Sequence, residues 1–219
     1  MKQRLTPRRS TDRTGDCGSS NRGSIPREGT MGVFYTRKGD KGKSYVGKKS
    51  VNKTCIEIEA LGQLDELNSM LGILKSHKIT KELKSTLHQI QESLFIIQSH
   101  VANIMLDGKF KVPEFSAKGG SASGGKNLKV AEIEKIIDKV EKSLPPLKKF
   151  VIPGTDQTSA WLDLMRSKSR NVERIVLKIK KVGRLSPDIK AYLNRLSSLF
   201  FALARWETRN RKEKNPTYR

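Results

Sequence analysis

Apolar residues recur at intervals of three and four positions from residue 60 to residue 203, interrupted by short polar segments. This spacing puts them on one face of an α-helix, whereas a half-buried strand would alternate apolar and polar residues. The chain therefore has several apolar helix faces to bury. The five runs are Ala60–Leu74, Leu83–Ile104, Val130–Leu144, Trp161–Ile179 and Ile189–Leu203.

Residues that start or stop helices lie between these runs. The start signals are Thr80, Thr155 or Asp156, and Ser186-Pro187, and the stop signals are Pro145-Pro146 and Gly183. Ser, Thr and Asp cap helix N-termini, and proline is accepted at the first helical position but not in a helix interior. The connections are mostly short, and no convincing run of strands is present. The sequence predicts an all-α fold, an antiparallel five-helix bundle.

The two ends of the chain differ in composition from the predicted bundle. Residues 1–30 are rich in Arg, Ser, Gly and Thr and contain too few apolar residues to form a core. We expect a basic disordered tail there, which is a leader, a tag or a transit peptide. The folded domain is expected to span 31–212, followed by a short tail over 213–219. Within the domain, the Gly- and Ser-rich segment 107–126 predicts a mobile loop.

The charge indicates an anionic partner without identifying it. Lys and Arg number 44 against 22 Asp and Glu, which gives a formal net charge of +22. Such an excess attracts nucleic acid, anionic lipid or polyphosphate. No stretch approaches the roughly 18 uncharged apolar residues that a membrane span needs. Two cysteines and three scattered histidines provide neither a disulfide framework nor a metal-ligand pattern, which is typical of a reduced compartment.

The segment Tyr35–Ser44, YTRKGDKGKS, is the first candidate binding site. Its glycines allow backbone N–H groups to converge on an anion, and cations stand beside them. It is not a Walker A loop, because Arg37 stands where that motif requires its first glycine. A solvated basic turn would have the same composition, so both interpretations stay open.

The fourth predicted helix carries the second candidate. Arg166, Arg170, Glu173 and Arg174 share one face, roughly opposite the apolar stripe. Guanidinium groups suit phosphate oxygens, although any surface helix also has a charged face. Asp65 lies with Asn68 on a face of the first helix turned away from the leucine stripe. No catalytic triad or metal-ligating histidine can be assigned, so spacing alone does not reach a reaction.

Four blocks in order resemble the PduO-type ATP:corrinoid adenosyltransferases. The blocks are YTRKGDKGKS, IEALGQLDELNSMLG, FVIPG with RSKSRNVER, and YLNRLSSLFFALAR. They extend from about residue 34 to 206. The resemblance implies a five-helix bundle that assembles as a homotrimer with active sites between subunits. The implied reaction transfers the 5′-deoxyadenosyl group of ATP to cob(I)alamin and releases tripolyphosphate, with Mg²⁺ assisting. A corrinoid reductase and an adenosylcobalamin-dependent acceptor enzyme are the implied protein partners.

The resemblance also implies roles for individual residues. The implied ATP-binding residues are Thr36, Arg37, Lys38, Gly39, Ser44, Tyr45, Lys53, Arg170, Asn171, Val172, Glu173, Arg174 and Asn194. Asp65 and Arg166 match an intersubunit pair on the corrinoid side. Phe150 matches an aromatic residue that displaces the lower axial base of cobalamin. Arg170, Arg166, Asp65 and Phe150 are therefore the expected catalytic set, and no protein metal ligand is expected.

The sequence departs from the family pattern at several positions. Lys38 replaces threonine, Asn171 replaces a second arginine, Leu61 replaces an aromatic residue, and Thr155 replaces a glycine. Two alternatives to the enzyme therefore stay open. One is a diverged, non-catalytic bundle that binds nucleic acid or another polyanion, and the other is an adenosylcobalamin carrier or sensor. The expected location is the cytoplasm, or the mitochondrial matrix if residues 1–30 are a transit peptide.

Overall fold

The computed structural model describes residues 35, 37–115, 128–211 and 215–217. The chain divides into two units, residues 1–35 and 36–219. Tyr35 is exposed, and every described helix and strand belongs to the second unit. The expected tail over 1–30 lies outside the described residues. Thr36 and the part of the expected 107–126 loop that follows residue 115 also lie outside them.

The described part of the chain forms the expected bundle. Its helices are α1 Ile56–Ser76, α2 Lys81–Met105, α3 Leu128–Ser143, α4 Gln157–Leu177 and α5 Pro187–Thr208. All five residues of the first predicted stripe are fully buried, as are nearly all of the second and fifth. The five-helix prediction is therefore confirmed. No described helix is long and apolar enough to cross a membrane.

Three of the helix starts are fixed by the predicted caps. The hydroxyl of Thr80 accepts from Leu83 N–H at 3.2 Å, and that of Ser186 accepts from Ile189 N–H at 3.3 Å. At α4, Asp156 rather than Thr155 is the cap. Its carboxylate accepts from Ser159 N–H at 2.8 Å, while the Ser159 hydroxyl accepts from Asp156 N–H at 3.1 Å. This reciprocal capping box sets the start of α4, which carries six of the candidate residues.

The end of α4 differs from the prediction. The helix stops at Leu177 and is followed by a short 3-10 turn, Val182–Arg184, so it ends well before Gly183. Ile179 lies beyond the helix but is almost completely buried. The apolar spacing continued past the helix because the turn that follows also faces the core.

Contacts between side chains give the helix directions. Glu173 meets Asn194 and Arg166 meets Phe201, so α4 and α5 run antiparallel. Similar contacts pair α1 with α2, and α1 with α4, in antiparallel orientation. By contrast, Glu134 meets Arg195, and the carbonyl after α3 meets Arg205. Helices α3 and α5 therefore run in the same direction, and α5 lies between α3 and α4.

A two-stranded antiparallel hairpin precedes the bundle, contrary to the expectation of no strands. It consists of β1 Lys43–Val46 and β2 Lys49–Asn52, with Gly47 in the turn at a φ of 58°. Four-residue strands rich in lysine are too short to show a clear alternating pattern. Val46 is buried in a small apolar cluster with Met105 and Leu106, which attaches the hairpin to the end of α2.

Replacing Leu71 by alanine is expected to destabilise the bundle by about 2–5 kcal/mol, because the fully buried side chain leaves a cavity. Chemical denaturation followed by circular dichroism measures the loss. Ile73 lies on the same helix but is 43% exposed, so Ile73→Ala is the matched control and should cost much less. Equal losses for the two variants would contradict the assignment of the core.

Candidate active site

The candidate phosphate loop is a pair of tight turns. Asp40 N–H donates to Arg37 O at 3.3 Å, and Gly42 N–H donates to Gly39 O at 3.2 Å. Both Arg37, with φ 56°, and Gly42, with φ 71°, have left-handed backbone conformations. Lys53 N–H then donates to Gly42 O at 2.9 Å, so the end of the hairpin is tied to the loop. The loop and Lys53, which are separated in sequence, form one unit.

Gly39 is the place in the loop where an added side chain would press against Lys53. A Cβ there would lie 3.1 Å from Lys53 Nζ and 3.4 Å from Lys43 O. The absence of a side chain lets the Lys53 ammonium group rest on the loop backbone. Arg37 and Lys38 are exposed beside it. This arrangement collects positive charge at one edge of the hairpin, where a phosphate group could be bound.

Ser44 and Tyr45 occupy neighbouring positions on β1. They pair with Val51 and Ser50 of β2, respectively. Successive strand residues point to opposite faces, so these two side chains cannot project from the same face of the hairpin. Ser44 is half-buried, and Tyr45 is 51% exposed.

Ion pairs attach the hairpin to the helical bundle. Asp107, just after α2, forms ion pairs with Lys181 at 2.5 Å, Arg184 at 3.5 Å and Lys49 at 3.8 Å. Lys49 Nζ also donates to Met105 O at 2.7 Å. The bond from Lys181 is the main cause that holds the pKa of Asp107 below its ordinary value. One exposed carboxylate thus joins the hairpin, the end of α2 and the α4–α5 connection.

The second group of candidate residues lies where α4 packs on α5. Asn194 Nδ2 donates to Glu173 Oε1 at 2.8 Å, and Arg195 Nη1 donates to Asn194 Oδ1 at 2.9 Å. Arg174 donates to the Asn171 side chain within α4. These bonds fix the amide and the carboxylate in one orientation. Glu173 and Asn194, which the resemblance places in one ATP-binding set, are thus in contact.

Arg170 and Val172 have opposite surroundings although both belong to the predicted ATP-binding stretch. Arg170 is exposed, and its guanidinium group is available to a ligand. Val172 is fully buried in the core between the helices. The Val172 side chain therefore stabilises the bundle and does not reach a ligand, because alternate faces of one helix serve the core and the surface.

Arg166 is held deeper in the structure than Arg170 and Arg174 on the same helix. Its Nε is buried and has no hydrogen-bond partner among the described residues, and its guanidinium carbon lies 5.8 Å from the centre of the Phe201 ring. Asp163, one turn before it, is partly buried, and this burial raises the pKa of that carboxyl despite the charge of Arg166. A buried N–H without an acceptor is costly, so this position is suited to an added acceptor.

Asp65, the predicted partner of Arg166, is exposed and has no ion pair or hydrogen bond within the described part of the chain. Asn68, expected on the same outward face, is instead buried, and its Oδ1 lacks a partner among the described residues. The expectation for Asn68 was wrong because α2 covers that side of α1: Gln91 Nε2 donates to Asn68 O at 3.0 Å.

A cavity of about 640 Å³ opens beside Phe150. The segment before α4 forms one wall, and α4 and α5 form the other. Phe150 itself is 79% exposed. The lining residues are Leu147, Lys148, Lys149, Phe150, Val151, Arg166, Arg170, Ser197, Ser198 and Phe201. Apolar and aromatic surfaces with several cations suit a large, flat ligand that carries negative charge.

The candidate residues fall into two groups. The hairpin group contains the loop, Ser44, Tyr45 and Lys53, and the helix group contains the candidates of α4 and α5 together with Phe150. The cavity at Phe150 contains Arg166 and Arg170 but no residue of the hairpin group. A second cavity, of about 430 Å³, is lined by strand residues of the hairpin and by Lys180, but by none of the implied ATP-binding residues.

Sequence reasoning missed several residues at these sites. Ser197, Ser198 and Phe201 line the cavity because α5 turns that face toward α4, and only the helical spacing from Asn194 could have indicated them. Lys148 and Lys149 precede Phe150 directly, but two lysines in a polar segment carry no specific signal. The role of Asp107 could not be predicted from the sequence, because its three ion-pair partners lie far from it along the chain.

Comparison with known proteins identifies the class to which this fold and site belong. The family model for cobalamin adenosyltransferase matches residues 34–207. A corrinoid adenosyltransferase of Citrobacter freundii is 33% identical over 175 residues, which cover 80% of this chain and 94% of that protein. One of Bacillus subtilis is 31% identical over 176 residues, covering 78% and 84%.

Solved structures show the same fold. A variant PduO-type ATP:corrinoid adenosyltransferase of Lactobacillus reuteri, complexed with cobalamin and ATP, superimposes with a TM-score of 0.72 at 28% identity. The match covers 85% of this chain and 97% of that one. Another variant of that enzyme, complexed with ATP, gives a TM-score of 0.67 at 28% identity, covering 85% of this chain and 100% of the other. The chain belongs to the cobalamin adenosyltransferase family, in its PduO type.

Replacing Asp107 by asparagine is expected to loosen the hairpin without unfolding the helices, because it removes the charge that three cations share. Hydrogen exchange of the amides in 43–52 should accelerate, while exchange in α2 and α4 should stay unchanged. High salt should accelerate the same amides in the unmodified protein, since the pairs are exposed.

Asp138→Asn on α3 is the control for the loss of one exposed carboxylate. Uniform acceleration throughout the bundle after Asp107→Asn would show that Asp107 supports the whole fold rather than the hairpin.

Proposed function

We propose that this protein transfers the 5′-deoxyadenosyl group of ATP to the cobalt of cob(I)alamin or a related corrinoid, and releases tripolyphosphate. The observation that carries the proposal is the Glu173–Asn194 contact next to exposed Arg170 and the cavity at Phe150. It places phosphate-binding and polar groups beside a cavity that could hold a flat ring. Membership in the family supports the same reaction.

The reaction forms a cobalt–carbon bond and breaks the bond between C5′ and the phosphate oxygen. Cobalt(I) supplies the electron pair, and the leaving triphosphate takes the pair of the broken bond. The protein therefore needs no serine or cysteine nucleophile. Its contribution is to orient C5′ toward cobalt and to offset the charge that develops on the leaving oxygen. This division of work explains why no catalytic triad is found in the sequence.

The proposed ATP site draws on both groups of residues. Lys53 and the loop Arg37–Gly39 would bind phosphate oxygens from one side, with Ser44 or Tyr45 adjacent. Arg170 and Arg174 would bind from the other, and the fixed Glu173–Asn194 pair would accept and donate hydrogen bonds to the nucleoside. Lys38 and Asn171 alter the family pattern but remain exposed polar groups at these places.

Magnesium would arrive with the nucleotide. No group of three or more His, Cys, Asp or Glu side chains among the described residues could hold a metal ion. Mg²⁺ is commonly bound by substrate phosphates, with one carboxylate or two from the protein. Glu173 is the one carboxylate in the proposed ATP-binding set, and it already accepts from Asn194. When bound, the ion would neutralise part of the triphosphate charge.

The proposed corrinoid site is the cavity at Phe150. The exposed phenyl ring would take the lower axial position of the corrinoid and keep the detached base away from cobalt. Loss of that ligand favours the lower oxidation state and eases reduction. Asp65 of a neighbouring subunit would supply the acceptor that buried Arg166 Nε lacks within one protomer.

We therefore propose a homotrimer with its active sites between subunits. The lining of the cavity at Phe150 supports this arrangement, because it contains Arg166 and Arg170 but no residue of the hairpin group, which a neighbouring subunit would supply. Outside the trimer, a corrinoid reductase would supply cobalt(I), and an adenosylcobalamin-dependent enzyme would receive the product.

Free Cys55 suits a reducing compartment, the cytoplasm or the mitochondrial matrix.

The +22 charge keeps a second proposal open, in which the bundle binds nucleic acid without turnover.

The experiment that tests the proposed adenosyl transfer is anaerobic incubation with ATP, Mg²⁺ and chemically reduced cob(I)alamin. A light-sensitive adenosylcobalamin spectrum that requires both protein and ATP is the expected result. No conversion, together with retention of RNA on a filter, would favour the second.

Replacing Arg170 by alanine is expected to lower kcat/KM for ATP about 30-fold, or about 2 kcal/mol, because a charge on the leaving phosphate loses its partner. The fold should be unaffected, since the side chain is exposed. Steady-state kinetics with varied ATP measure the effect. Lys139→Ala on α3 is the control, and unchanged kinetics for Arg170→Ala would remove this residue from the site.

Replacing Phe150 by alanine is expected to slow the cobalt step while leaving ATP affinity and the free energy of unfolding unchanged, because the ring is 79% exposed. Separate measurement of ATP binding and of turnover with cob(I)alamin distinguishes the two effects. Parallel losses in both would argue that Phe150 supports the fold and not the corrinoid.

Complementation between inactive variants tests the intersubunit arrangement. Lys53→Ala and Arg170→Ala are each expected to be weakly active, but trimers that contain both should recover activity at interfaces where the two intact halves meet. Co-expression with two tags and purification on both isolates the mixed trimers. Arg170→Ala combined with Asn194→Ala is the control, because both changes lie in the same half. Recovery in the control alone, or in neither mixture, would contradict a shared site.

A further inference from the structure

The segment between α3 and α4, residues 145–153, has prolines at both of its ends, and we call it the proline strap. It is held by its backbone: Arg205 Nη2 donates to Pro145 O at 3.3 Å, and Asn215 Nδ2 donates to Phe150 O at 2.9 Å. Its apolar side chains remain largely outside the core, with Leu147 40% and Phe150 79% exposed. The strap is therefore positioned over the cavity without being buried.

The proline strap forms one wall of the cavity at Phe150, and all the charged side chains that line this cavity are positive. Four of its lining residues are cationic, and none is a carboxylate. Arg166 and Arg170 have proposed partners in Asp65 of a neighbour and in the triphosphate. Lys148 and Lys149 have no proposed partner, and within the described residues they form no ion pair or hydrogen bond. Two adjacent like charges on a restrained segment gain most from an anion bound between them.

We propose that Lys148 and Lys149 bind the phosphodiester group in the nucleotide tail of the corrinoid, an inference that rests on the proposed function. The amide side chains around a complete corrin ring are neutral, whereas the tail phosphodiester keeps a full negative charge at neutral pH. When Phe150 displaces the lower base, the tail is released on the side where the two lysines precede that ring. Their charges hold the released tail and favour the base-off state.

The proposal makes the proline strap a specificity determinant. Complete corrinoids, which carry the phosphodiester, should bind better than cobinamide, which has the ring but lacks the phosphodiester and base. The triphosphate of ATP is the other anion with the same chemistry near this cavity. The two sources differ in which substrate responds when the lysines are neutralised.

The test compares the unmodified protein with the double variant Lys148→Gln/Lys149→Gln. Kinetics are measured with reduced cobalamin, with reduced cobinamide and with varied ATP. The KM for cobalamin is expected to rise about fivefold or more, on the scale of one lost charge-assisted hydrogen bond. The KM values for cobinamide and ATP should stay unchanged, as should kcat at saturation. Lys148→Arg/Lys149→Arg should restore the cobalamin KM.

Lys135→Gln/Lys139→Gln on the exposed side of α3 is the matched control for the loss of two charges. A similar rise for cobalamin and cobinamide, a rise for ATP alone, or no change would each overturn the proposal. Equilibrium binding of cob(II)alamin and cob(II)inamide, followed by visible spectra, gives a readout that does not need turnover. If the unmodified protein adenosylates neither corrinoid, the proposed function fails, and this binding comparison still decides the role of the lysines.

Discussion

The packing of α4 on α5 determines where the candidate residues on these two helices lie. Met165, Val172 and Val176 are fully buried, and this fixes the rotation of α4 about its axis. Once that rotation is set, Arg170 and Arg174 must face outward, and Glu173 meets Asn194 across the seam. The capping box at Asp156 fixes where the helix begins and therefore its register along α5. The residues that are buried in α4 therefore decide which of its side chains are exposed at the surface.

The helices were predictable because their signals are local and redundant. Leu64, Leu67 and Leu71 repeat at helical spacing, and Thr80 and Ser186 are caps with a known hydrogen-bond geometry. The family resemblance then indicated Gly39, Lys53, Arg170 and Asn194, and the structure places the Lys53 ammonium group beside Gly39. A pattern of residues predicts which face a helix buries, since the core must be apolar wherever the helix goes.

Features that depend on distant residues could not be predicted in this way. The hairpin is too short for its alternation to stand out, and its attachment requires Asp107 to meet Lys49 and Lys181 from two other parts of the chain. Asn68 was expected outside because helical spacing locates a face but not the neighbour that covers it. Val172 was expected at the binding surface but is buried. A sequence motif runs along the chain and includes every residue, whereas only one side of a helix forms the surface.

The proline strap also has a consequence for solubility. Leu147, Phe150 and Ile152 are exposed apolar side chains of one short segment, and exposed apolar segments can pair with strands of other molecules. Pro145, Pro146 and Pro153 have no N–H group to contribute to such pairing, and Lys148 and Lys149 would place like charges side by side if two of these segments paired as strands. The same residues that leave an aromatic ring open to a ligand thus protect it from aggregation. An exposed aromatic side chain is tolerable here because the backbone around it is a poor template for a sheet.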